Sequence, residues 1–248
     1  MKFTGLKSIF KREFKGYFAS PLGYIFVVIF LMGTGFLTVS RDFGRFLEIR
    51  QASMDSFFQF VPWILVVLVP AVAMRLWSEE RKSGTIELLF TLPVTLEASY
   101  MGKFFAGWSF LGFSLLLTTP TVLVVAWLGD PDWGVIFTGY IGCALLAGSF
   151  LSIGMLFSAM TKNQVVAFIL GIAACIVLLV LGLPQPLEVI GKIFGAYTEQ
   201  VFGSLSIIDH FSSFTRGLIE VKTLFYFVVV TFGALTAGMM VLRQTKSV

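Results

Sequence analysis

Charge is what this chain has least of. Asp, Glu, Lys and Arg make up 13% of its 248 residues, against about 25% in an ordinary soluble domain. So few charges cannot cover a water-facing surface of this size, and with 57% hydrophobic residues lipid is the expected solvent. Histidine occurs once, at His210, and cysteine twice, at Cys143 and Cys175, both inside apolar runs. That excludes a disulfide framework and a Cys/His zinc site, so no metal is expected. There is no GxxxxGK[ST]: Gly102-Lys103 and Gly191-Lys192 lack both the upstream glycine and the hydroxyl, so the chain is not expected to bind or hydrolyse ATP itself. No linker or low-complexity tract divides it, and residues 1–248 read as one domain. A net charge of +4 would raise nucleic acid as a partner for a soluble protein, but no aromatic-and-basic motif accompanies it, and nucleic acid is not expected.

What is there is a series of apolar runs. Six are long enough to cross a bilayer as helices: Pro21–Val39, Phe57–Met74, Phe104–Leu128, Gly134–Ala159, Val165–Leu183 and Leu224–Leu242. Alternation of period two, the sign of a membrane barrel, is absent. The first run is too long for a signal-peptide core and reads as a retained anchor. With the N-terminus inside, twelve of the 18 Lys and Arg fall in inner segments and six, among them Arg41, Arg45, Arg50 and Arg216, in outer ones. The positive-inside rule then places both termini and the 75–103 segment in the cytoplasm. No Asp, Glu, Lys, Arg or His lies within any of the six runs, which argues against an ion-coupled carrier and against an intramembrane enzyme.

The flanking segments have patterns of their own. Before the first run, Phe3, Leu6, Phe10, Phe14, Tyr17 and Phe18 recur every three or four residues, with Lys7, Lys11 and Lys15 on another side. This predicts a basic amphipathic helix over residues 1–20, lying at the inner interface with lipid as its partner. The outer segment, residues 184–223, is too polar to span and too apolar for a plain loop. It reads as short re-entrant helices, with Arg216 and Glu220 spaced to pair on one of them. Thr118-Thr119-Pro120-Thr121 predicts a kink in the third run, its hydroxyls bonding back to freed carbonyls. Small residues at Ala144, Gly148 and Ser152, and at Gly233/Ala237 and Ala234/Gly238, predict close helix packing.

One charged island interrupts the apolar sequence. In RLWSEERKSGTIELLFTLPVT, residues 75 to 95, Glu79, Glu80, Arg81 and Lys82 stand in a row before Ser83-Gly84-Thr85. The whole 75–103 segment carries no net charge, so it is not a lipid-binding polybasic patch. Ser83 or Thr85 is placed to cap a following helix, with Glu87 in its first turn. Ile86, Leu89 and Phe90 would form its apolar stripe, and Pro93 would stop it. Such a helix, with charged flanks, suits docking on a protein better than a bare connection does.

EERKSGTIELLFTLPVT resembles the loop between the second and third spans of type-2 ATP-binding-cassette exporter permeases, most closely those of the gliding-motility type. DHFSSFTRGLIEVKTLFYF, Asp209 to Phe227, is similar to the region before that family's last span. The resemblance implies an all-α integral membrane protein with six spans, both termini inside, a cytoplasmic coupling helix and re-entrant outer helices. It implies that residues 79–87 meet an ATPase subunit, with Gly84-Thr85 as the turn and Ile86, Leu89 and Phe90 as the docking face. Thr161, Lys162, Asn163 and Gln164 would make a second, lesser contact. It further implies two ATP-binding subunits carrying ATP and Mg, a second permease copy or paralogue, and room for a periplasmic accessory subunit. The rival reading is a non-transporting scaffold that recruits a cytoplasmic partner through the same 75–95 loop.

Overall fold

The computed structural model describes residues 2–40, 42–44, 52–86, 94–195 and 201–246. Arg41, Arg45 and Arg50 of the outer count, and Glu87, Leu89 and Phe90 of the expected coupling helix, lie outside them. The described residues are helical, with no strand among them. The principal elements in chain order are α1 (Lys2–Ala19), α2 (Pro21–Val39), α3 (Asp55–Ala73), α4 (Arg75–Ser83), α5 (Leu96–Leu116), α6 (Thr119–Leu128), α7 (Trp133–Met160), α8 (Gln164–Val180), α9 (Pro184–Phe194), α10 (Ile207–Thr215) and α11 (Val221–Lys246).

Local chemistry sets several of these boundaries. Thr95, Asp132, Asn163 and Ser206 each accept hydrogen bonds from the first backbone N–H groups of α5, α7, α8 and α10. Thr118 and Thr119 donate to the carbonyls of Leu115 and Leu116, and the third run breaks there into α5 and α6 as Pro120 requires. The Thr118 hydroxyl also pairs with the Tyr140 hydroxyl of α7 at 2.7 Å.

Among the described residues, five helices are long and apolar enough to cross a membrane: Pro21–Val39, Asp55–Ser83, Leu96–Leu128, Trp133–Met160 and Val221–Gln244. The expected run Val165–Leu183 forms a helix of only 17 residues, ended by the turn at Leu181. At 1.5 Å per residue it reaches about 26 Å, short of the roughly 30 Å hydrocarbon core.

α7 is the central helix. In its most apolar window 72% of residues are buried, against 28% for α2 and 17% for α11, and α3, α5, α8, α10 and α11 all pack on it. In lipid the hydrophobic effect does not drive helices together, so close van der Waals fit must. Small residues provide it. A Cβ on Gly154 would lie 2.6 Å from the Ala73 Cβ of α3, and one on Gly238 would lie 2.0 Å from the Tyr100 hydroxyl of α5. The Ser149 and Thr231 hydroxyls, 3.0 Å apart, join α7 to α11.

Helix α1 turns Ile9 and Tyr17 inward against α5 and leaves Lys7, Lys11 and Lys15 exposed. Tyr17 stacks on Phe110 with centroids 4.6 Å apart. The amphipathic pattern therefore serves an intramolecular face. In the outer segment, His210 stacks on Tyr226 at 4.1 Å and its Nε2 lies 3.2 Å from the Ser204 carbonyl, which holds α10 against α11. The expected Arg216–Glu220 pair does not form among the described residues. α10 ends at Thr215 and Gly217 takes φ 81°, so four-residue spacing no longer places two side chains on one helix face.

Candidate functional site

The charged island forms an elbow at the inner end of α3. Helix α4 continues α3 after a turn at Met74, so residues 55–83 make one bent rod. Along a helix, residues three apart share a face and adjacent ones diverge, and the four consecutive charges divide accordingly. Glu79 and Lys82 are exposed. Glu80 and Arg81 turn inward.

Each inward charge meets a different helix. Glu80 Oε1 accepts from Lys103 Nζ of α5 at 2.6 Å, and the same ammonium donates to the Leu76 carbonyl at 2.6 Å. Lys103 also sits 4.7 Å from the Trp77 ring centroid and 4.0 Å from Glu13 of α1. Its side chain is 3% exposed, so three helices share one buried cation. Trp77 stacks on Tyr100 of α5 at 5.2 Å. The Arg81 guanidinium donates to the Ala159 carbonyl near the end of α7. At the bend, Ser158 Oγ of α7 accepts from the backbone N–H groups of Trp77 and Ser78, at 3.1 and 3.0 Å, and donates to the Met74 carbonyl at 2.7 Å. The elbow is thus keyed to α1, α5 and α7 at once.

The sequence marked Glu79, Glu80, Arg81 and Lys82 but missed Lys103, Ser158 and Trp77 as their partners. Lys103 had a visible signal, a lone lysine at the edge of an apolar run. Ser158 had none. The turn at Ser83-Gly84-Thr85 is present, with Gly84 at φ 72°. Its hydroxyls help to close α4: Ser83 Oγ donates to the Glu79 carbonyl at 2.9 Å and Thr85 Oγ1 lies 3.5 Å from that of Glu80, both among the last carbonyls of the helix. Thr85 and Ile86 are helical again, and the rest of the expected following helix lies outside the described residues. Ile86, expected on an outward stripe, is buried in the chain's own core, since the reversal at Gly84 carries it back.

A Cβ at Gly84 would meet nothing within 4 Å, so its need for glycine is conformational. Gly84→Ala should lower stability by about 1 kcal/mol, the cost of the left-handed region to an L-residue. Thermal unfolding in detergent measures it, and Gly84→Asn should lose less.

The turn Thr161-Lys162-Asn163-Gln164 lies beside the elbow, two residues beyond the carbonyl that Arg81 holds. Thr161 Oγ1 accepts from Asn163 N at 3.1 Å, and Asn163 Oδ1 accepts from Val165 N at 2.9 Å. Lys162 is exposed. Both segments marked as contact sites therefore meet at one end of the bundle. At the opposite end, Asp55, Trp63, Phe211 and Arg216 help line a cavity of about 530 Å³. Among the described residues no group of three His, Cys, Asp or Glu could hold a metal ion.

A helical bundle with several membrane-length helices and a charged elbow at one end defines a multi-pass membrane protein. A family model, that of ABC-2 family transporter proteins, matches residues 7–243, and the chain belongs to that family. No curated protein matches the chain. It is accordingly a multi-pass ABC transporter permease. Members of this family are membrane transport subunits rather than enzymes, and they partner with ABC ATPase subunits.

Proposed function

We propose that this chain is the permease subunit of an ATP-driven exporter of the bacterial cytoplasmic membrane, working as a dimer with a second copy or a paralogue. Two cassette ATPase subunits, which carry the ATP and Mg, dock on the elbow through Glu79 and Lys82 and on the adjacent Lys162 turn. Six spans follow if α8 crosses with help from the Leu181–Leu183 turn, which puts both termini and the elbow inside as the Lys/Arg distribution favours. The likeness of residues 79–95 and Asp209–Phe227 to gliding-motility-type permeases supports that branch of the family, and the outer end leaves room for an accessory subunit.

One observation carries the reading: α4 is an extension of the spanning helix α3 with two exposed charges at its tip. A force on the tip is a force on the span. Nucleotide-driven movement of the ATPases then biases a two-state equilibrium of the bundle.

The test is charge reversal at the tip. Glu79→Lys with Lys82→Glu touches neither inward partner, so the permease should insert and fold. Permease-stimulated ATP hydrolysis in a reconstituted complex should fall about tenfold, the equivalent of ~1.4 kcal/mol of lost coupling. Unchanged stimulation would remove α4 from the docking surface.

A further inference from the structure

Two clefts meet beside the elbow. One, of about 120 Å³, is apolar and lies between α2 and α3, with Ile25, Ile29 and Val72 in its wall. The other, of about 330 Å³, is polar and lies between α1 and α4. Tyr17 and Arg75 line both. Tyr17 is 8% exposed, yet its buried hydroxyl has no hydrogen-bond partner, and neither has Glu80 Oε2 on the polar wall. Buried polar atoms without partners are rare enough to point to an occupant. The charges of the polar cleft are unevenly committed. Lys103 is held by Glu80 and the Leu76 carbonyl. Arg75 donates from its side chain to Ser20 Oγ at 3.2 Å, and a guanidinium has five donors. Glu79 is exposed, and Glu13 meets Arg12 at 2.8 Å with one oxygen.

We propose that the joined clefts bind a phospholipid with a primary-ammonium headgroup, taken from the leaflet at the elbow end. Its phosphate bonds to Arg75 and the Tyr17 hydroxyl, its ammonium lies among the Glu13, Glu79 and Glu80 carboxylates, where Glu80 Oε2 gains a partner, and the first methylenes of one acyl chain enter the apolar cleft. Ile25 and Ile29, half exposed on α2, carry the rest of the chain outward. An anion alone would satisfy Arg75 but leave three carboxylates facing it. A cation alone would leave Arg75 and the apolar cleft unused. Bound there, the headgroup wedges α1 against α4, and its ammonium shares Glu79 with the proposed ATPase-docking tip. The site does not depend on ATPase docking and is tested without any ATPase.

The experiment uses the full chain in phosphatidylcholine nanodiscs containing a minor fraction of phosphatidylethanolamine with a photoactivatable group near the ester end of its chain. Mass spectrometry of the cross-linked protein should concentrate the label on residues 22–29 and 68–75. Gly16 lines the polar cleft and a Cβ there meets nothing within 4 Å, so Gly16→Leu adds its bulk to the head site from a position with room for the first carbon. It should reduce this labelling about tenfold, ~1.4 kcal/mol of binding. Tyr17→Phe, which removes only the unpartnered hydroxyl, should reduce it less while leaving the protein folded. Excess phosphatidylethanolamine should compete and excess phosphatidylglycerol should not. Equal labelling of the wild type and Gly16→Leu, even labelling of all lipid-facing helices, or equal competition by phosphatidylglycerol would overturn the assignment.

Discussion

Lys103→Met should cost this permease about 3–5 kcal/mol, the usual penalty for removing one partner of a buried ion pair. The reasoning rests on what the ammonium leaves behind. Glu80 Oε2 already lacks a partner. Without Lys103, Oε1 loses its bond at 2.6 Å, the Leu76 carbonyl loses its donor, and Trp77 loses the cation over its face. Methionine keeps most of the volume, so the loss is electrostatic and not a cavity. The same logic predicts rescue. A buried pair replaced as a whole by apolar residues is often neutral or better, and Lys103→Met with Glu80→Leu should return to within about 1 kcal/mol of the wild type. Lys103→Arg should recover less, because a planar fork does not fit where a compact ammonium meets two acceptors and the Trp77 face. Thermal unfolding in a single detergent reads all four proteins. A double variant no more stable than the single one would show that the pair does not hold α4 to α5.

How far the sequence revealed this follows the range of each interaction. The helical membrane class was legible because it depends on composition and run length, both local. The break in the third span was legible for the same reason: Pro120 and its threonines act on carbonyls within four residues. The island was legible as an anomaly, but its division into outward Glu79 and Lys82 and inward Glu80 and Arg81 was not. That division depends on Lys103, Ser158 and Ala159, which lie 23, 80 and 78 residues from the groups they bind. The burial of Ile86 in the chain's own core was not legible, because an apolar stripe looks the same whether it faces a partner or that core. The Arg216–Glu220 spacing failed through one residue, Gly217, whose positive φ ends the helix that the pairing assumed. The fifth run was read three residues too long, since hydropathy continues through Leu183 while the helix stops at Val180.

Ser158→Ala should loosen the elbow more than it destabilises the protein. The hydroxyl serves three backbone groups: it accepts from Trp77 N and Ser78 N and donates to the Met74 carbonyl. Orphaning two buried N–H groups would cost about 1–3 kcal/mol each. Those groups have a second choice, however. The Met74 carbonyl, which keeps the Ser78 hydroxyl but has a second lone pair once Ser158 is gone, lies four residues before Ser78, and the Ala73 carbonyl four before Trp77, so an ordinary α-helical ladder can re-form across the turn. In lipid such re-pairing is strongly favoured, because no water can replace the lost partner. The cost should therefore stay near 1–2 kcal/mol, while the α3–α4 bend straightens and swings the tip away from α7. Spin labels on Lys82→Cys and Lys162→Cys report that swing, since Cys143 and Cys175 are buried and stay unlabelled. The inter-label distance should lengthen and broaden in Ser158→Ala, and permease-stimulated ATP hydrolysis should drop while ATPase binding persists. A distance distribution identical to that of the wild type would mean that the bend is set by α3 and α4 alone, with Ser158 only filling a vacancy in the ladder.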